Sequence, residues 1–391
     1  MRLAPDRRSL LLGLGAAGLA PRVLAQPTFV VPPLAPLKMD VGRITKVTVC
    51  LRPFRAAGPR LDVEKVGRKR VVHNYGHGGS GWSLSWGSAR IAAARALEGG
   101  TKSVAVIGCG AIGLTTALTL LRAGARVTIY AKDRAPYTRS ARATGTWSPE
   151  SRIADAAKVD TNFAALWDGM ARASYAHWQT LIGLDGDPVT WTDRYTLFDA
   201  AGGGAPPVAF PERATSAPEI QFWRPDPYPA GIDPRWRNLD PAETPFRVGR
   251  VRHGTSMQFN VAELAHQLTT DFLMEGGHIE TMTFNTPADL ARLKQPVVVN
   301  CTGYGARALW KDDSVTPVRG QITWLAPQPE VRYGLYYRHV NVLPRADGIV
   351  VQYGGTSEMW GYGSEDETPD MAEAQAAIAT IAPLFEAPKA L

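Results

Sequence analysis

The chain has 391 residues, of which 45% are hydrophobic and 20% charged, and its formal net charge is +7. This length and apolar content suffice for one large domain or two, and they exclude a disordered chain. The charge is mild and no Lys/Arg block with interleaved aromatic residues occurs, so no nucleic-acid partner is predicted, while a weak preference for anionic small molecules stays open.

The first 25 residues differ from the rest of the chain. Arg2, Arg7 and Arg8 precede the apolar run SLLLGLGAAGLA, and VLA stands before Gln26 as a small-residue cleavage site. This order is typical of a removable export signal, and Arg7–Arg8 resembles the twin-arginine type, with an ordinary secretory signal as the alternative. The apolar run is roughly half as long as a membrane-spanning helix. We therefore predict a periplasmic or secreted protein that uses the export machinery and has no stable membrane insertion.

The segment after the signal predicts a linker and then the start of the folded body. Residues 26–40 are proline-rich, which favours an extended linker. The β-branched residues of RITKVTVCLRPF predict a strand at 43–54, and RKRVVHNY predicts a second strand at 68–75. A glycine-rich loop follows, and then a helix from about Gly87 to Leu97.

The rest of the chain predicts an α/β arrangement. A short buried strand at 102–107, a helix at 112–123 and a buried strand at 126–131 form a βαβ pattern. The region from 150 to 250 shows weak periodicity and predicts only loops, helices and a few strands. The remaining elements are a helix from residue 261, a buried strand from residue 296, the strands of a mixed second sheet between residues 320 and 353, and a closing helix at about 370–382.

Three glycines within the βαβ pattern predict a dinucleotide site. Gly108, Gly110 and Gly113 form G-x-G-x-x-G directly after a strand and at the start of a helix. The first allows a tight turn, the second lets the backbone approach a pyrophosphate, and the third packs the helix on the strand. Asp133 lies 20 residues past Gly113, placed to accept a hydrogen bond from an adenosine ribose. The pattern alone does not separate NAD(P) from FAD.

The glycine-rich loop that precedes this pattern limits which kind of site the chain can form. His73 and His77 have i,i+4 spacing, but the glycines around them argue against the helix that would align two metal ligands. GGSGW lacks the closing glycine of a nucleophile elbow, which disfavours a hydrolase. The remaining interpretation is a loop whose backbone N–H groups and following helix N-terminus, near residues 81–85, stabilise negative charge on a ring during reduction.

The same stretch carries a family resemblance. VVHNYGHGGSGWSLSWGSA, residues 71–89, resembles the signature of the D-amino acid oxidase family at every fixed position. CLRPFR resembles the strand that presents the arginine for the substrate carboxylate, which assigns that role to Arg52. IYAKD, TRSARATGTWSP, VVNCTGYGA and VRGQI resemble segments of the FAD-binding part, and NVLPRADGIVVQYGGT resembles the hairpin of the substrate domain.

The resemblance implies an α/β fold with a Rossmann-like FAD-binding domain and a mixed-sheet α+β substrate domain. The order is that of a circular permutant: in the family the glycine fingerprint opens the chain, whereas here the Arg-Pro strand and the His-Asn-Tyr-Gly loop precede it. Permutation is tolerated where the affected ends lie close together at the surface. The FAD-binding domain is expected at 62–160 and 250–320, and the substrate domain at 41–61, 161–249 and 321–385.

The resemblance also implies the chemistry. We expect FAD-dependent oxidative deamination of a D-amino acid, or a closely related small amino acid, to a 2-oxo acid, ammonia and hydrogen peroxide, by hydride transfer to flavin N5 with dioxygen as co-substrate. Arg52 would bind the α-carboxylate with two parallel hydrogen bonds, and the carbonyl of Gly79 would accept one from the amine. The position of the family's carboxylate-binding tyrosine holds Asn341. Tyr336 and Tyr337 are candidates to replace it, with structural aromatic residues as the alternative.

The resemblance further implies which residues contact FAD. They are Gly78, Gly79, Ser80, Gly81, Trp82, Ser83, Gly108, Gly110, Ala111, Ile112, Gly113, Asp133, Thr138, Ser140, Gly145, Trp147, Thr302 and Gly303.

Several alternatives stay open. The chain could be a glycine or N-methyl amino acid oxidase, or a dehydrogenase that uses an acceptor other than oxygen. It could be a non-catalytic binding or assembly protein that retains the flavin, as Asn341 and the permuted order suggest. An NAD(P) dehydrogenase would explain the glycine fingerprint alone. A homodimer is also left open.

Overall fold

The computed structural model describes residues 33–200, 208–211, 218–232, 235–240 and 243–385. The predicted export signal and the first part of the predicted linker lie outside these ranges and stay predictions. The fold below is that of the compact unit that begins at Ala35. Within the described residues, no helix combines the length and the apolar composition needed to cross a bilayer.

The chain forms two sheets with helices packed on them. The strands are β1 (Ile44–Arg55), β2 (Val63–Val66), β3 (Lys69–His73), β4 (Ser103–Ile107), β5 (Arg126–Ala131), β6 (Val189–Phe198), β7 (Arg237–Asn238), β8 (Arg250–Phe259), β9 (His278–Thr281), β10 (Val297–Asn300), β11 (Val315–Leu325), β12 (Tyr333–Tyr337), β13 (Val340–Arg345) and β14 (Gly348–Tyr353). The helices are α1 (Gly81–Leu97), α2 (Ala111–Arg122), α3 (Phe163–Gln179), α4 (Val261–Met274), α5 (Ala306–Trp310) and α6 (Met371–Ile381).

The first sheet has six strands in the order β2-β3-β10-β4-β5-β9. All neighbours are parallel except β2 and β3, and β4-α2-β5 is the predicted βαβ unit. Strands β4 and β10 are buried, as expected for a parallel sheet covered on both faces. Because β3, β10 and β4 are adjacent and parallel, the loops that follow them leave the sheet at one edge, where α/β proteins bind ligands.

The second sheet has eight strands in the order β1-β11-β14-β13-β12-β6-β8-β7. It is antiparallel except between β12 and β6. Asn341 pairs with Gln352 on one side and with Tyr336 on the other, so these three side chains share one face. Thr144, which follows the βαβ unit, donates to Gln352 Oε1 over 2.9 Å, so this face is turned toward the first sheet.

The structure confirms the predicted strands at 43–54, 68–75, 102–107 and 126–131 within a few residues, and also the predicted mixed second sheet. The predicted helix start at about Gly87 is wrong, because α1 begins at Gly81, which agrees with the helix N-terminus that the loop interpretation expects near residues 81–85. Glycine and serine in this turn have low helix propensity, so the sequence signal is weak there. Packing stabilises the turn instead, since Trp82 is buried and a Cβ at Gly87 would lie 2.2 Å from the Met170 carbonyl of α3.

The predicted domain boundaries stay predictions. Strand β8 falls within the segment 250–320 that was assigned to the FAD-binding domain, yet it pairs with β6 in the eight-stranded sheet. Most of β11 falls in the same segment and pairs with β1.

Candidate active site

A cavity of about 500 Å³ lies where the carboxyl ends of β3, β4 and β10 meet the polar face of the eight-stranded sheet. Its walls come from the loops after these three strands, from the segment after β5 and from β1, β11 and β14. This size lies within the usual range of cofactor and ligand sites.

The glycine fingerprint forms one wall. Gly108 has a φ of +107°, and a Cβ there would lie 2.5 Å from the carbonyl oxygen of Cys301. A Cβ at Gly113 would lie 2.0 Å from the carbonyl oxygen of Gly108, so α2 contacts β4 more closely than any side chain allows. Gly110 caps α2 without a side chain, and Ala111 donates its N–H to Ser140 Oγ. A helix N-terminus held this way beside a cavity is a suitable pyrophosphate site, so these residues fit a dinucleotide.

Asp133 lies at the far end of this wall. It follows β5 and lines the cavity together with Lys132. Among the described residues its ion pair is with that same lysine, 3.7 Å away, and both side chains are exposed. The carboxylate is therefore accessible to a ribose hydroxyl.

The loop after β3 forms the opposite wall. Gly78 has a φ of +55° and donates its N–H to the carbonyl oxygen of Pro53, and Gly79 donates to that of Ser151. A Cβ at Gly78 would lie 1.8 Å from the carbonyl oxygen of Arg152. These contacts fix the loop between β1 and the segment around residue 151. Within the described part of the chain no donor contacts the carbonyl of Gly79, which leaves it available to accept a hydrogen bond from a ligand.

Arg52 lies on β1 beside this loop and also lines the cavity. A Cβ at Gly320 of the adjacent β11 would lie 2.4 Å from Arg52 Nη2, so this glycine leaves room for the guanidinium. No described residue forms a hydrogen bond or an ion pair with the guanidinium, and burial lowers its pKa. A half-buried cation without a protein counter-ion is a favourable partner for a carboxylate.

Most predicted site residues lie in the cavity wall. They are Arg52, Gly78, Gly79, Gly81, Trp82, Gly108, Gly110, Ala111, Ile112, Asp133, Thr138, Ser140, Thr302 and Gly303.

The other predicted cofactor residues lie behind this wall. Ser80 is the N-cap residue of α1 and donates its hydroxyl to the carbonyl of Ser151. Ser83 Oγ accepts from the backbone N–H of Ser148, and Trp147 Nε1 donates to the carbonyl of Ile232. Gly145, with a φ of +93°, and Gly113 pack closely against backbone carbonyls. These residues support the wall.

Two predicted catalytic side chains do not line the cavity. Tyr337 donates its hydroxyl to Asp199 Oδ1 over 2.6 Å. Asn341 accepts at Oδ1 from Arg194 Nη2, also over 2.6 Å. Asn341 nonetheless lies on the sheet face that holds Gln352, a residue of the cavity wall.

Sequence reasoning missed several cavity residues. Gln352 could have been found from its pairing with Asn341, but that pairing depends on a strand register that no local motif specifies. The missed residues include Cys50, His77, Arg142, Tyr304, Gly320 and Gln352.

The two histidines of the early loop contact different neighbours. His73 is buried, with Nδ1 lying 3.1 Å from Asn300 Nδ2 and Nε2 lying 3.3 Å from Glu64 Oε1. His77 lines the cavity, and burial lowers its pKa to about 3, so its imidazole is uncharged at neutral pH. No group of three or more His, Cys, Asp or Glu side chains in the described ranges is arranged to hold a metal ion.

The chain is similar to known FAD-dependent oxidoreductases. Residues 103–390 match the family described as DAO, FAD dependent oxidoreductase. The chain is 30% identical to a D-amino-acid oxidase of Streptomyces coelicolor over 69% of this chain and 74% of that protein. It is 28% identical to a D-amino-acid oxidase of Rubrobacter xylanophilus over 70% of this chain and 74% of that protein. A solved glycine oxidase from Geobacillus kaustophilus aligns with a TM-score of 0.49 at 15% identity, covering 73% of this chain and 79% of that one.

Proposed function

The chain belongs to the DAO family of FAD-dependent oxidoreductases, and from this premise we propose that it deaminates a D-amino acid, or a closely related small amino acid, to the 2-oxo acid. The observation that carries the proposal is the half-buried guanidinium of Arg52, without a protein partner among the described residues, at one end of a cavity whose other end holds the glycine fingerprint. Ammonia and hydrogen peroxide are the other products.

The cavity residues suggest how FAD is held. Gly108, Gly110 and the N-terminus of α2 would bind the pyrophosphate, and Asp133 the adenosine ribose. The loop at 78–82 and the start of α1 would lie against the flavin ring. When bound, FAD would supply the two-electron acceptor for the α-hydrogen and its electron pair, with dioxygen as the final acceptor.

The chain's own residues would bind and orient the substrate. Arg52 would bind the α-carboxylate through a planar pair of hydrogen bonds, which fixes the α-carbon. The carbonyl of Gly79 would accept a hydrogen bond from the amine, which sets the rotation about the α-carbon. One amino acid, one dioxygen and one water give one 2-oxo acid, one ammonia and one hydrogen peroxide, and no side-chain base is required.

The visible spectrum of the purified protein tests this function. We expect a yellow protein that bleaches when D-alanine, D-aspartate or glycine is added without oxygen, because the two electrons of the substrate then remain on the cofactor. On admission of air, hydrogen peroxide should form in the same amount as the 2-oxo acid. A yellow protein that no amino acid bleaches would favour the non-catalytic alternative, and peroxide far below the 2-oxo acid would favour another electron acceptor.

We also propose that the order of the elements is a circular permutation. Tyr333 donates its hydroxyl to the carbonyl of Ala35 over 2.7 Å. The Tyr333 ring lies 6.4 Å from that of Phe246, and the Phe246 ring lies 6.0 Å from that of Phe385. The two ends of the described body, Ala35 and Phe385, therefore approach the same pair of rings. Their proximity supports the proposal that these two ends are joined in one continuous segment in the family's order of elements.

A reordered chain tests the permutation. Residues 102–385, a Gly/Ser linker of about ten residues and then residues 35–100 should give a soluble, yellow protein with a Tm within about 5 °C of the original. The original connection at 98–102 is mostly exposed, so opening it removes few contacts. As a control, the same chain opened between Val298 and Val299 of the buried β10 should not fold. Failure of both chains would count against the permutation.

A further inference from the structure

The position of the family's carboxylate-binding tyrosine is not filled by any of the three residues considered for it. Asn341 stands at that position, and its side-chain oxygen accepts from Arg194 Nη2 over 2.6 Å. Tyr337 donates its hydroxyl to Asp199 over 2.6 Å. Of the described residues that line the cavity, none is Asn341, Tyr336 or Tyr337. A second donor for the carboxylate must therefore come from another residue of the wall.

Gln352, on β14, lies next to the vacant position. It is half-buried, lines the cavity and lies directly opposite Asn341 in the antiparallel pair of β13 and β14, so both side chains point to the same face of the sheet. The strand order β1-β11-β14-β13 sets β14 one strand nearer to β1 than β13 is. Because β1 carries Arg52, the glutamine lies closer to the guanidinium than the asparagine does.

The strand register gives the separation between Gln352 and Arg52. The register of β11 on β14, extended by one residue, sets Gln352 beside Ile322. Gly320 is two residues from Ile322 on the same face, and it lies under Arg52, because a Cβ there would be 2.4 Å from Arg52 Nη2. Diagonal neighbours of this kind are about 7–8 Å apart, within reach of long side chains. A small carboxylate on the guanidinium is therefore within reach of the Gln352 amide.

The amide of Gln352 is oriented by a hydrogen bond. Thr144, which also lines the cavity, donates its hydroxyl to Gln352 Oε1 over 2.9 Å. Because the oxygen is occupied, the amide nitrogen points away from Thr144. In the described part of the chain Nε2 has no acceptor, and it is not among the polar atoms that are sealed from solvent without a partner. An amide nitrogen only donates hydrogen bonds, so the accessible group suits an anion.

We propose that Gln352 is the second donor for the α-carboxylate of the substrate. Its Nε2 would donate to one carboxylate oxygen while Arg52 forms the planar pair of hydrogen bonds, and a carboxylate has enough lone pairs for all three. The inference rests on the proposed function, which supplies the amino acid and the role of Arg52. Gln352 neither gains nor loses a proton, so the products of the reaction are unchanged.

Binding of propionate to the holoenzyme tests the inference. Propionate has the carboxylate and the length of alanine without the amine, and titration calorimetry gives its Kd. Gln352→Met keeps the length and removes the donor, so the Kd should rise roughly tenfold or more, as expected for a hydrogen bond to a charged group. Gln352→Glu adds a negative charge in the same shape and should raise the Kd roughly a hundredfold. An unchanged Kd in Gln352→Met would overturn the inference.

A matched glutamine outside the cavity is the control. Gln179 is exposed on α3, where its amide donates to the carbonyl of Tyr175 over 3.5 Å. Gln179→Met should leave the Kd for propionate and the visible spectrum unchanged. Equal weakening by Gln179→Met and Gln352→Met would refute the assignment to the cavity residue.

A double substitution tests the orientation of the amide. Thr144→Val keeps the shape of the side chain and removes the hydroxyl that holds Gln352 Oε1. Alone it should raise the Kd for propionate severalfold, but in the Gln352→Met background it should have no further effect, because no amide remains to be oriented. Effects that multiply would refute the oriented amide on which the inference depends.

Turnover separates recognition of the carboxylate from recognition of the side chain. For each of glycine, D-alanine and D-aspartate that is oxidised, Gln352→Met should lower kcat/KM by the same factor, mainly through KM, because the α-carboxylate is common to all three. A loss that depends on the substrate side chain would overturn the inference. If D-alanine bleaches the flavin but propionate binding does not depend on Gln352, only this inference fails. If propionate binding depends on Gln352 but no amino acid bleaches the flavin, the proposed reaction is wrong and the carboxylate site stands.

Discussion

Replacing Arg52 with alanine should lower kcat/KM for the amino acid about a thousandfold, which corresponds to about 4 kcal/mol of lost transition-state binding. The guanidinium lines the cavity without a described protein partner, so its binding energy is available to the substrate carboxylate. The visible spectrum should remain, since the cofactor is expected to depend on other residues. Arg52→Lys should recover only part of the loss, because an ammonium lacks the planar pair of donors.

Thermal stability distinguishes this role from a structural one. A half-buried cation without a counter-ion contributes little to folding or opposes it, so Arg52→Ala should leave the Tm unchanged or raise it. Arg319, on the adjacent strand β11, is the matched contrast. It is fully buried, donates to the carbonyls of Asp366 and Thr368, and pairs with Glu373. Arg319→Ala should destabilise the fold by about 3–5 kcal/mol, because it removes the buried cation that pairs with the buried carboxylate of Glu373. If Arg52→Ala also lowered the Tm strongly, the arginine would be structural.

The sequence predicted the part of the site that local motifs specify. Gly108, Gly110 and Gly113 lie within one strand-turn-helix unit, so their spacing alone defines their geometry. The role of Arg52 was predicted from the family resemblance of its own strand, in which Pro53 follows the arginine. In both cases the residues that define the feature are close in the chain.

The rest of the site depends on contacts between distant segments. Ser151 comes from a region of weak periodicity, and its backbone carbonyl accepts the N–H of Gly79, which helps to fix the loop after β3. Gln352 enters the cavity wall through the register of β14 on β13, which is set by the packing of a whole sheet. The start of α1 at Gly81 depends on α2 and α3, which hold a turn that its own residues favour only weakly. None of these features leaves a short motif in the sequence.

Replacing Gly113 with alanine should strongly reduce FAD binding. The added Cβ would lie 2.0 Å from the carbonyl oxygen of Gly108, so the first turn of α2 must move away from β4 by more than 1 Å. That turn is the expected pyrophosphate site, and hydrogen bonds to an anion weaken steeply with distance. We expect at least about a tenfold rise in the Kd for FAD and a loss of about 1–3 kcal/mol in unfolding free energy.

The same substitution at Gly169 is the control. Gly169 lies on the exposed side of α3, and a Cβ there meets no atom within 4 Å. Gly169→Ala should therefore stabilise the protein by about 0.5–1 kcal/mol through helix propensity alone and should leave FAD binding unchanged. Ultrafiltration followed by flavin fluorescence measures the bound fraction, and urea unfolding measures stability. Because the two variants add the same methyl group within helices, opposite effects on stability would identify the contact with Gly108 as the cause. If Gly113→Ala retains stoichiometric FAD, the close approach of α2 to β4 is not what forms the cofactor site.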